Sequence, residues 1–99
     1  MQAVRETLDP PYDPGPGKEW QIWLPQYEAH ADGADALARS TLKLFEDGVP
    51  LGPAHAEHAD VQAKGAGAYS HWLDFLRFST SDGGDPNTNG RTYEIVLED

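Results

Sequence analysis

The 99-residue chain has no cysteine, a single methionine and only seven Lys and Arg against seventeen Asp and Glu. It also lacks any long apolar run. Without cysteine there is no disulfide framework, thiol nucleophile or thiolate metal site, and the redox compartment stays open. A formal net charge of −10 repels phosphate backbones and anionic membrane surfaces at long range, so neither nucleic acid nor membrane is expected as a partner. No stretch approaches the ~20 apolar residues of a membrane-spanning helix, and the first residues carry neither the charged nor the apolar region of a signal peptide. The expectation is a soluble module cut from a longer protein. An extracellular or secreted parent is the preferred reading.

What is present is aromatic: three Trp, four Tyr and three Phe, each able to cover roughly 150–250 Å². They suit a single core in a chain of one-domain size. Residues 1–18 hold Pro10, Pro11, Pro14 and Pro16 among glycines, which stops helix and central strand alike and reads as a linker or an edge-hugging arm. The domain proper is expected over residues 19–99. Trp20, Ile22 and Leu24 alternate with Gln21 and Trp23, the pattern of a half-buried strand.

Residues 26–38 read as a loop, and 39–46 as a strand turning at Asp47-Gly48 into a hairpin. Residues 54–64 read as a short helix stopped by Gly65. Strands follow over 69–72, 75–79 and 91–97. Six or seven short strands with one short helix predict an all-β fold, a compact antiparallel β-sandwich (jelly-roll or immunoglobulin-like) or a partly open barrel.

Residues 81–90 are almost wholly turn formers and gather oxygen atoms and amides. Asp85, Asn87, Asn89 and Gly90 match the opening D-x-N-x-N-G of a Ca²⁺ loop, but Val96 stands where the bidentate Glu belongs. A Ca²⁺ ion on Asp82, Asp85, Asn87 and Asn89 is one reading of this loop. Hydroxyl recognition by Asp82, Asn87, Asn89 and Arg91 is a second. A third has the Asx side chains bonding their own backbone to hold an irregular turn.

A helix over 54–64 would set His55 and His58 on one face, with His71 as a third imidazole for Zn²⁺ or Cu²⁺. The metalloprotease H-E-x-x-H is absent, since Glu57 precedes His58 and the two histidines are three apart. The same histidines could instead form the polar wall of a ligand groove beside Tyr69 and Trp72. Strand alternation puts Tyr69 and His71 on one side and Ser70 and Trp72 on the other, and Trp72 is read either as core or as a stacking platform. No nucleophile elbow or Ser-His-Asp spacing is visible, so no residue is assigned as catalytic.

The blocks Phe45 to His55, His58 to Val61, Gly67 to Trp72, Phe78 to Asp82 and Asp85 to Arg91 together resemble small β domains of bacterial proteins. Those domains are attached to glycosyltransferases, methyltransferases and polysaccharide-acting enzymes, and the resemblance runs over about half of the chain, residues 45–91. It implies an accessory carbohydrate-binding β-sandwich, linked to a catalytic domain, with His55, His58, Tyr69, His71, Trp72, Asp82, Asn87, Asn89 and Arg91 in its motif blocks. The expected function is a non-catalytic carbohydrate-binding module that targets a linked enzyme to polysaccharide. The alternatives are a small His-dependent metalloenzyme acting on polysaccharide, and a protein-interaction or spacer domain.

Overall fold

Tyr93, Ile95 and Leu97 alternate with Glu94 and Val96 in the sequence. In the computed structural model, which describes residues 3–98, they are the inward side of the longest strand, β8 (Tyr93–Glu98). β8 pairs antiparallel with β1 (Ala3–Thr7) and with β4 (Lys43–Glu46). β5 (Val49–Pro50) extends that sheet to the order β1-β8-β4-β5. A second antiparallel sheet has the order β2-β3-β7-β6, formed by β2 (Asp13–Pro14), β3 (Trp20–Trp23), β7 (Phe75–Phe78) and β6 (Tyr69–Trp72).

Both sheets contribute to one core. Leu44, Tyr93, Ile95 and Leu97 come from the first, Tyr69, Leu76 and Phe78 from the second. The rings of Phe78 and Tyr93 meet across the layers at 5.4 Å between centroids, and Tyr12 stands edge-on to both. The architecture is an all-β sandwich of two antiparallel sheets with few helices and is not a closed barrel.

The described part of the arm, residues 3–18, contributes a strand to each sheet. β1 pairs with β8 in register from Ala3 opposite Glu98 to Thr7 opposite Glu94. Leu8 and Tyr12 are buried in the core, each such burial stabilising by roughly 1.5–3 kcal/mol. The prolines are tolerated because β1 ends before Pro10 and Pro14 lies in β2, an edge strand of the second sheet.

Three other expectations shift for one reason: side chains and neighbouring strands take the backbone groups that local pattern would have used. The strand expected over 39–46 shortens to β4 because the Ser40 and Leu42 N–H groups donate to Asp32 Oδ1 and Ser40 Oγ. The helix expected over 54–64 starts only at His58, giving α1 (His58–Lys64). Upstream of it, Ala56 N–H donates to the Tyr69 carbonyl and Tyr69 N–H to the Pro53 carbonyl, so that segment lies along β6 instead of coiling. Residues 26–38 are not wholly loop, since Pro25–His30 forms a 3₁₀ turn and Asp32 bridges to Trp72 beside β6.

Other turns follow the sequence. Asp47 and Gly48 both have positive φ, 49° and 81°, as a primed hairpin turn requires, and Gly65 ends α1 at φ 59°. No helix among the described residues is long and apolar enough to cross a membrane.

Candidate functional site

The Asx-rich loop makes many hydrogen bonds within its own fold. Asn87 Oδ1 accepts the Tyr12 N–H at 2.7 Å and its Nδ2 donates to the Tyr12 carbonyl at 3.0 Å. Asn89 accepts from Arg91 N–H and donates to the Tyr93 hydroxyl. Asp85 accepts from Asn87 N–H, and Asp82 from Gly84 N–H. Arg91 spans Asp82 at 2.9 Å and buried Glu46 at 3.6 Å. The guanidinium, helped by the Gly84 amide, holds the Asp82 carboxyl down to about 2 and is itself held more firmly protonated.

Burial of Glu46 alone would raise its pKa, but bonds from Ser81 and Tyr93, with Arg91 nearby, leave it below the ordinary value. Each of Asp82, Asp85, Asn87, Asn89 and Arg91, assigned from sequence to hydroxyls or Ca²⁺, thus has at least one turn or core partner in the fold. No group of three His, Cys, Asp or Glu suited to a metal ion occurs among the described residues.

The histidines separate as well. His71, expected beside a ligand, is 2 % exposed and faces inward with Tyr69, as alternation on β6 requires. Its Nδ1 lies 2.7 Å from the Ser40 hydroxyl, while its buried Nε2 has no partner. Burial drives its pKa down to about 4 against an upward pull from Asp32. Tyr69 is buried and donates its hydroxyl hydrogen to the Leu42 carbonyl.

His55 sits not on α1 but before it, in a left-handed backbone conformation at φ 55°. That region is sparsely occupied by non-glycine residues. Its Nδ1 lies 2.5 Å from Oδ2 of Asp32, a carboxylate 2 % exposed. The other oxygen of Asp32 accepts the Ser40 N–H at 2.8 Å, and its backbone bonds His71 and Leu73. Asp32 is thus fixed on every side. An acceptor-only carboxylate sets the adjoining ring nitrogen as the N–H, which leaves Nε2 of His55 as the basic atom.

His55, His58, Ser70 and Trp72 line one open groove of about 440 Å³ with Leu37 and Glu57, and Asp32 lies at its base. His58 stands edge-on to Trp72, centroids 5.6 Å apart at 90°. Burial, then the nearby Arg77, lowers the His58 pKa against an opposing pull from Glu19. Of the residues singled out in sequence, the structure brings together His55, His58 and Trp72.

Trp72 of this groove also begins a row on the outer face of the second sheet. Trp23 is opposite Phe75, and Phe75 is opposite Trp72. With Leu76 and Phe78 buried, alternation turns this row outward. Neighbouring strands lie ~4.8 Å apart, so the row crosses about 10 Å from β3 to β6. Trp23 is 60 % exposed, its indole N–H held by Asp74 Oδ2 at 2.9 Å. In the next row Gln21, Arg77 and Ser70 pair across the same strands.

Sequence reading placed Trp23 on the face opposite the core residues of β3 without making it a site residue. It missed Asp32, which lies 23 positions from His55 in a stretch with no local motif. Comparison with known protein families, with curated proteins and with solved structures returns no match for this chain.

Proposed function

We propose that this domain is a carbohydrate-binding module that holds a linked enzyme on polysaccharide. The observation that carries the reading is the outward row Trp23, Phe75 and Trp72, continuous at Trp72 with a groove walled by His55, His58 and Ser70. Aromatic faces offer large, rigid apolar area to the C–H face of a pyranose, and the imidazoles and hydroxyl beside them suit its hydroxyl groups. The acidic surface disfavours anionic glycans, so neutral β-glycans are the preferred ligands. This moves the ligand surface away from the Asp82 to Arg91 loop.

The test is retention on a panel of soluble and insoluble polysaccharides, with and without a chelator. Wild type would be compared with Trp72→Ala, Trp23→Ala and Asn89→Ala variants that retain the native circular dichroism spectrum. Retention that either Trp variant abolishes and Asn89→Ala leaves intact supports the reading. Retention on no glycan overturns it.

A further inference from the structure

The Asp32 and His55 pair has features that sugar binding does not require. A surface histidine that only meets hydroxyls needs no carboxylate buried beneath it. Here Asp32 is 2 % exposed, its second oxygen is tied to Ser40 N–H, and its backbone is bonded on both sides. The ring it holds sits on a left-handed, non-glycine backbone and is about one third exposed in the groove. This is the geometry that fixes one imidazole tautomer and supports positive charge forming on the ring during proton transfer.

We propose that His55, positioned by Asp32, is a general base for the hydrolysis of acyl esters carried on a saccharide bound in the groove. Nε2 of His55 takes a proton from water as the water oxygen bonds to the acyl carbonyl carbon, whose π electron pair moves onto the carbonyl oxygen. His58 lies on the same wall, its imidazolium form disfavoured by burial and by Arg77, and its N–H would meet the negative charge that develops. Collapse breaks the bond to the sugar oxygen, which takes the proton from Nε2, so ester and water become a carboxylic acid and a free hydroxyl. An ester suits the groove better than a glycosidic bond, which calls for two opposed carboxylates, because Asp32 is already committed to the ring. Asp32 is a positioning residue, acting only through His55.

The substrate class rests on the saccharide reading above, so one preparation is tested for both. Hydrolysis of p-nitrophenyl acetate and of an O-acetylated soluble β-glucan is measured beside retention on the unacetylated glucan. ¹⁵N NMR of the imidazoles reports the tautomer of His55 independently of activity. Expected are an Nδ1–H tautomer and a second-order rate on the ester about 100-fold above equimolar imidazole. His55→Gln, at a partly exposed position, should lose that rate while keeping the native circular dichroism spectrum. In Asp32→Asn the His55 tautomer should become mixed. A wild type no faster than imidazole, an unaltered rate in His55→Gln, or an Nε2–H tautomer overturns the proposal. Retention with no hydrolysis sinks the dyad alone, and hydrolysis of the simple ester with no glycan retention sinks the saccharide reading alone.

Discussion

The side chain of Asn87 closes both backbone hydrogen-bonding groups of Tyr12, accepting from its N–H and donating to its carbonyl. A turn residue 75 positions away thereby stands in for a strand neighbour and anchors the segment that delivers the Tyr12 ring against Phe78 and Tyr93. Replacing Asn87 by Ala removes two hydrogen bonds at about 1 kcal/mol each. The expected result is a loss of about 2 kcal/mol, read as a lower denaturant midpoint at unchanged slope. Thr88→Ala, at an exposed neighbour making one long contact of 3.5 Å, should stay within about 0.5 kcal/mol.

Glu46 joins the loop to the core. Its carboxylate accepts from the hydroxyl of fully buried Tyr93 at 2.8 Å and from the Ser81 hydroxyl and amide. Glu46→Ala should cost about 3 kcal/mol, since hydrogen bonds to a buried charge contribute roughly 1.5–3 kcal/mol each. Its pKa is lower in the folded state, so the unfolded chain binds the proton more readily. The contribution is therefore complete above the ordinary carboxylate value of 4.5 and fades as pH falls below it. Equilibrium unfolding of wild type and variant across pH 7 to 3 should show the two stabilities converging in acid.

His71 sets a different window. Its pKa falls from 6.5 unfolded to about 4 folded, so between those values the unfolded chain holds more protons and stability rises with pH. The contribution is full above 6.5 and lost progressively toward 4. From pH 7 to pH 5 the expected loss is about 2 kcal/mol, most of which should vanish in His71→Phe. His58, shifted in the same direction, adds a slope of the same sign that persists in the variant. A His71→Phe protein with the same slope as wild type over that interval would refute the assignment.

Gly17 lies where the proline-rich arm meets α1. Its φ is +58°, and an added Cβ would stand 2.5 Å from the Gln62 carbonyl oxygen, which accepts the Lys18 N–H. Gly17→Ala should cost more than about 1 kcal/mol, since a non-glycine residue there is strained and the helix backbone must move. Because α1 carries His58, amide hydrogen exchange in residues 58–64 should accelerate, and glycan retention should weaken with it.

Much of the sandwich was legible in the chain because alternation is a local signal. Trp20, Ile22 and Leu24 against Gln21 and Trp23, or Tyr93, Ile95 and Leu97 against Glu94 and Val96, name the inward face without any knowledge of the partner strand. The Asp47-Gly48 turn and the Gly65 stop were legible for the same reason, each depending on a backbone angle that glycine or a neighbour of glycine adopts readily. The role of the Asx-rich loop was not legible, because its composition is identical whether its oxygens face a ligand or its own amides. Only the closure of Asn87 on Tyr12 and of Arg91 on Asp82 distinguishes the two.

What the sequence determined by itself was which residues of β3 and β8 face inward and where the chain reverses at Asp47-Gly48 and Gly65, properties set by near neighbours. Tertiary structure alone decided that Ala3–Thr7 forms an edge strand on β8, that His55 leaves the helix while His58 stays in it, and that Asp32 comes to lie against His55. Each of those depends on backbone or side-chain groups far apart in the chain satisfying one another once buried. Such a pairing leaves no trace in either partner's immediate sequence.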